Sequence, residues 1–120
     1  MATAVRTARV LQASATNAAA ATTNSSELDL STTFGGLLTA KVTNGGTGPT
    51  LGCDVVIEVS ANGGTTWYET MRVTGGTVAN TAYSWGFVVS DAMRVRVTFT
   101  GNTGQGVTIE AVFHEFTSAA

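Results

Sequence analysis

At 120 residues the chain has room for one ordinary domain and not for two. Its hydrophobic content of 43% supports a packed core, while its charged content of 12% is about half the ~25% usual for a soluble domain. A net charge of -2 with no basic run excludes an electrostatic footprint for nucleic acid or anionic membrane, and the single cysteine, Cys53, excludes an intrachain disulfide and a thiolate metal cluster.

Residues 1–26 differ from everything after them. They are Ala, Thr, Ser and Asn, with Val5, Val10 and Leu11 the only larger apolar residues after Met1. No apolar stripe recurs at helical spacing, and such a segment cannot bury enough surface to offset its own ordering entropy. It is expected to be an extended or disordered N-terminal arm that orders against a partner. Arg6 and Arg9 are its charged side chains. They are not followed by an apolar h-region, so no signal peptide is expected despite the small residues Ala18 to Ala21. No apolar run approaches the ~20 residues of a membrane span.

Residues 27–120 are expected to form one β-sandwich domain. Phe34 to Thr43 alternates, with Leu38, Ala40 and Val42 on one face. Asn44 to Pro49, N-G-G-T-G-P, is a loop. Cys53 to Ser60 follows, with Cys53 in phase with Val55, Ile57 and Val59 as a small core residue and Asp54 and Glu58 on the opposite face. Asn62-Gly63-Gly64 is a tight turn, since Asn and Gly tolerate positive φ. Thr65 to Thr74 returns and ends at Gly75-Gly76. Thr77 to Thr81 reads as a short strand. Tyr83 to Val89 carries Trp85, Phe87 and Val89 in phase.

Met93 to Thr100 and Val107 to Phe116 close the chain around the loop G-N-T-G-Q-G. An antiparallel hairpin register pairs Phe99 with Val107, Val97 with Ile109, Val95 with Ala111 and Met93 with Phe113. It also sets Arg96 opposite Glu110. Seven or eight short strands with Gly-rich turns and no helical segment predict an all-β, antiparallel sandwich, jelly-roll-like or Ig-like.

Chemistry-bearing motifs are sparse. Ser60-Ala61-Asn62-Gly63-Gly64-Thr65-Thr66-Trp67 resembles the Asp-box of sialidases, with Asn62 in the Asp position. One copy in a chain too short for a propeller makes it a hairpin device, and sialidase activity is not carried over. A similar element in discoidin-like jelly rolls keeps a carbohydrate-binding module as the alternative, with Trp67, Tyr68, Tyr83 and Trp85 as its aromatic surfaces. Trp67 and Trp85, however, run in phase with core residues. His114 is the sole histidine and has no Ser-His-Asp arrangement. Asp54 and Glu58 read as a solvated face, and the glycine pairs follow no phosphate-binding pattern. No catalytic residue, cofactor site or metal site is expected, and the chain is not read as an enzyme. Val112, His114 and Phe116 point opposite to Ala111 and Phe113, which implies a second buried layer or an intersubunit contact.

A single lysine, Lys41, is unusual for a β protein, since free sheets guard their edges with charge. Surface hidden in an assembly is the expectation. The stretch Leu28 to Phe116 resembles the small β-sandwich proteins that decorate or cement capsids of tailed bacteriophages. The residues carrying the resemblance are L-D-L-S-T-T-F-G-G-L-L-T-A-K-V-T-N-G (Leu28–Gly45), V-S-A-N-G-G-T-T-W-Y-E (Val59–Glu69) and M-R-V-R-V-T-F-T-G-N-T-G (Met93–Gly104). The resemblance implies a jelly-roll-like head on the virion surface, often trimeric at capsid threefold positions, without catalysis. Its partners would be copies of itself and the major capsid protein, not nucleic acid or membrane. The residues expected to touch them are Arg6, Arg9, Val10 and Leu11 of the arm, with Val112, His114 and Phe116 of the last strand. The alternative is a carbohydrate-binding or host-adhesion module of a tail or fibre.

Overall fold

The computed structural model describes residues 4–31, 33, 35–89 and 94–119. Phe34 and Met93, expected at the starts of two strands, lie outside the described residues. Among the described residues there are nine strands and no helix. They are β1 (Ala4–Asn17), β2 (Thr23–Asn24), β3 (Leu28–Asp29), β4 (Gly36–Asn44), β5 (Asp54–Ser60), β6 (Tyr68–Thr74), β7 (Ala82–Val89), β8 (Arg94–Thr100) and β9 (Val107–Ala119).

Two antiparallel sheets form, in the orders β1-β9-β4-β7 and β2-β8-β5-β6, with β3 also on β8. The pairings nest: β1 with β9, β2 and β3 with β8, β4 with β7, β5 with β6. A long doubled hairpin is thus rolled up, and the β4–β9 and β5–β8 ladders close each sheet. This wrapping is a jelly roll rather than an Ig-like arrangement. Alternation sends Leu38, Ala40, Val42, Val55, Ile57, Phe87, Val89, Val95, Val97, Phe99, Val107, Ile109, Ala111 and Phe113 into one core between the sheets. Cys53 joins them, fully buried, and burial pushes its thiol up to about 11.

The hairpin expected between the last two long strands does not form. β8 lies between β2/β3 and β5, whereas β9 lies between β1 and β4 in the other sheet. Arg96 therefore faces Glu58, with Nε 3.2 Å from Oε1, and Glu110 lies opposite Lys41. The inward phase of both strands is nevertheless as expected. Period-2 alternation decides which face a side chain takes, but the route of the connecting loop decides which strand it pairs with. Here Gly101 and Gly104, both at positive φ, turn the loop towards the chain at Thr50–Leu51. The Thr50 N–H donates to the Thr103 carbonyl at 2.7 Å, so the loop's backbone is satisfied outside a two-strand hairpin. A double-mutant cycle should find coupling of about 1 kcal/mol between Arg96 and Glu58 and none between Arg96 and Glu110. Coupling to Glu110 instead would restore the hairpin register.

The arm expected over residues 1–26 is not separate over its described part. β1 runs beside β9 from Ala4 opposite Ala119 to Asn17 opposite Val107, and β2 caps β8. Leu11 is buried in the core. Such a segment is too polar to fold alone, but an edge strand joins a sheet through its backbone and needs few apolar side chains. Thr77 to Thr81 is likewise no strand: the chain turns there, with Asn80 at positive φ.

Candidate functional site

The two outward faces of the sandwich differ in kind. On the β2-β8-β5-β6 sheet the register brings charged residues of neighbouring strands side by side. Arg72 reaches Asp54 at 2.8 Å and Glu69 at 2.8 Å, Arg96 reaches Glu58, and Arg94 reaches Glu27 at 3.2 Å. Thr74 donates to Asp54 at 2.7 Å and Thr98 to Glu58 at 2.6 Å. Partial burial opposes ionisation of Glu58, but hydrogen bonds from Thr98 and Arg96 and the arginine charges outweigh it and hold its carboxyl below the usual range. The guanidinium of Arg96 also lies 4.3 Å from the centre of the Trp67 ring. Asp54 and Glu58 are therefore each tied into ion pairs on this partly exposed face.

The turn leading into this face follows from Ser60 and Asn62. The Ser60 hydroxyl donates to Asn62 Oδ1 at 2.9 Å and accepts the Gly64 N–H at 2.9 Å, while the Thr66 N–H donates to Asn62 Oδ1 at 2.9 Å. Gly63 and Gly64 both have positive φ. Asn62 thus does the work of the Asp in the box, and the work is structural.

The β1-β9-β4-β7 sheet has a different outer face. Its cross-strand rows set Lys41 beside Glu110 and Ser84, and Thr43 beside Thr108 and Ala82, at one end. At the other end Val88, Leu37, His114 and Ala8 lie in one row, flanked by Phe116 beside Arg6 and by Val112 beside Val10. Val10 is 62% exposed, Leu37 44% and Val88 84%. Arg6, Ala8, Leu37, Val88, His114 and Phe116 are among the residues lining a groove of about 640 Å³ here. A contiguous exposed apolar patch with a polar rim marks an interaction surface.

Of the residues expected to bind partners, Arg6, Val10, Val112, His114 and Phe116 share this face. Two do not. Leu11 is in the core, because it points inward from β1. Arg9 lies on the inward side of the β1 edge with its side chain 56% exposed, and its Nε lies 2.9 Å from Oε1 of Glu115, whose side chain is 3% exposed. An edge arginine thereby closes off an interior carboxylate. Leu37 and Val88 were not singled out from the sequence. Each stands next to an inward apolar residue, Leu38 and Val89, so the same alternation that buries one neighbour exposes the other.

The four aromatic residues of the carbohydrate alternative do not form one platform. Tyr83 and Trp85 face inward from β7, opposite Val42 and Ala40, and Trp67 is covered by Arg96. Tyr68 is 61% exposed. Among the described residues no group of three or more His, Cys, Asp or Glu is placed to hold a metal ion, and no helix is long and apolar enough to cross a membrane.

No protein-family model matches the chain, and no curated protein matches it. Solved structures do. The SPBc2 prophage-derived protein YomS superposes with a TM-score of 0.53 at 14% identity, over 93% of this chain and 95% of that one. A chain of infectious bursal disease virus, Gx strain, gives 0.63 at 9% identity over 95% of this chain, which spans 32% of the viral chain. A family 29 carbohydrate-binding module gives 0.49 at 14% identity, over 92% and 89%. At such identities the likeness to the prophage-derived and viral chains is one of fold alone.

Proposed function

We propose that the chain is a structural protein of a virion, a capsid cement or decoration protein that attaches by the outer face of its β1-β9-β4-β7 sheet. The observation that carries this reading is the contrast between the two outer faces. One is closed by ion pairs among its own side chains. The other exposes Val10, Leu37 and Val88 around a groove, in a chain otherwise poor in charge. The role is adhesive and non-catalytic, and the partners are the major capsid protein and further copies of the chain. That a prophage-derived protein and a viral protein share the fold supports the setting. Arg6 and His114 at the groove offer donors to carboxylates of the capsid. Repeated over a symmetric shell, modest contacts add up to high avidity.

This docking uses a sheet face, since residues 4–17 pair with β9 as β1. Val10→Glu combined with Leu37→Glu should weaken attachment to capsids lacking the protein by at least about tenfold, with the unfolding midpoint unchanged. Undiminished attachment by the folded double variant would sink the proposal. A carbohydrate-binding role is the second reading, and exposed Tyr68 is the residue that favours it. Binding on a glycan array that is lost in Tyr68→Ala would support it over attachment to capsids.

A further inference from the structure

The sheet edges of this sandwich are not equally defended. β1 carries Arg6 and Arg9 and three register shifts against β9. β6 carries Glu69 and Arg72 and a register shift against β5. β2 and β3 are two residues each, and β3 ends in Asp29. β7 has none of these devices. Its sequence, A-Y-S-W-G-F-V-V, holds no charge and no proline, and its ladder with β4 is unbroken from Gly36 opposite Val89 to Thr43 opposite Ala82. It ends the four-stranded sheet and so presents one side of its backbone outward. A long, regular, uncharged edge is a template for another strand.

We infer that β7 is a self-association edge, which pairs antiparallel with β7 of a second copy about a two-fold axis. A second copy is the occupant that fits. Among the described edge strands longer than two residues, β7 is the one that sets no charge against an incoming β7, whereas β1 and β6 do. A two-fold antiparallel pair is also self-complementary by construction. Inward residues must meet inward residues, which restricts the register to a step of two. With Gly86 opposite Gly86 of the second copy, Trp85 meets Phe87 of that copy and Tyr83 meets its Val89. These aromatic–aromatic and aromatic–β-branched matches are the favourable cross-strand pairs. Outside, Ser84 meets Val88 of the second copy. The two four-stranded sheets become one continuous sheet, and the exposed Leu37–Val88 ends lie on its common outer face. The pairing is independent of what the assembly coats, and it yields a two-fold dimer rather than the trimer that the family resemblance implies.

Two measurements test it. Sedimentation equilibrium of the full chain should show a dimer. Ser84→Lys combined with Val88→Lys, which sets lysine against lysine twice across the axis, should raise its dissociation constant at least about tenfold. A chain that is monomeric at every concentration, a trimer, or a dimer indifferent to the folded lysine variant would overturn the inference. The second measurement reads the register. A side chain fits at Gly86, where the nearest atom to a new Cβ is Leu37 Cδ1 at 3.5 Å. Opposed Cα atoms lie ~4.5–5.5 Å apart in an antiparallel pair, within disulfide range. Gly86→Cys should therefore cross-link under mild oxidation while Ser84→Cys does not, and buried Cys53 does not compete. No cross-link at Gly86 would overturn the pairing as drawn. Val10→Glu with Leu37→Glu should leave the dimer intact, so loss of capsid attachment and loss of self-association are told apart.

Discussion

Phe99→Ala is expected to destabilise the fold by about 3–5 kcal/mol in urea unfolding, out of a total that for such a domain is about 5–15 kcal/mol. Phe99 is fully buried on β8, the central strand between β2 and β5, where it stands opposite Thr23 and Val55. Ladders on both sides hold those neighbours in place, so the space left by the ring cannot close by local collapse. The cost is then the lost transfer energy plus most of the cavity cost. Val88→Ala, at the exposed end of β7, should move stability by no more than about 0.5 kcal/mol. A small effect at Phe99 would mean that the two sheets do not enclose a common core.

The faces of the strands were legible because they depend on local alternation alone. Leu38, Val55, Phe87, Val97 and Ile109 are buried where the pattern puts them, and Cys53 is the core residue its phase implies. The Ser60–Trp67 turn was also legible, since its hydrogen bonds run between residues close in sequence. What could not be read was the route of the chain between sheets. Val95, Val97 and Phe99 satisfy the same apolar requirement whether they stack beside β9 or face it across the core, and Arg96 is as well matched by Glu58 as by Glu110. Residues 1–26 misled for a related reason. Their low apolar content describes their stability alone, whereas β1 is held mainly by backbone pairing to β9 and by one inward leucine, Leu11. The candidate surface was half visible: Val112, His114 and Phe116 come from an outward-facing apolar strand, but their neighbours Leu37 and Val88 join them only through the β4–β9 and β4–β7 registers.

Asn102→Ala is expected to cost about 3 kcal/mol, and Asn102→Asp more than that although aspartate is the closer match in shape. Asn102 sits fully buried in the loop that separates β8 from β9. Its Nδ2 donates to the carbonyls of Gln105 at 3.0 Å, Asn17 at 3.2 Å and Ala18 at 3.3 Å, and its Oδ1 accepts from Asn17 Nδ2 at 2.6 Å. Asn17 is itself buried, and its own Oδ1 takes a 2.6 Å hydrogen bond from Thr23. One side chain thus ties the end of β1 and the turn into β2 to the loop that carries the chain across to the opposite sheet. Alanine leaves the buried Asn17 carbonyl and the part-buried carbonyls of Ala18 and Gln105 without this donor, at ~1–3 kcal/mol for each that water does not reach. Aspartate does worse, because it turns an acceptor towards those same carbonyls and buries a charge where the hydrogen-bond partners are asparagine and backbone carbonyls. Hydrogen exchange followed along the chain reads where the loss falls. In Asn102→Ala the amides of β1 and β2 should lose protection before those of β5 and β8, since residues 4–24 hang on the sandwich by this clamp, by Leu11 and by edge ladders. Uniform loss across all strands, or aspartate tolerated as well as alanine, would show that the buried asparagine pair does not anchor the N-terminal strands.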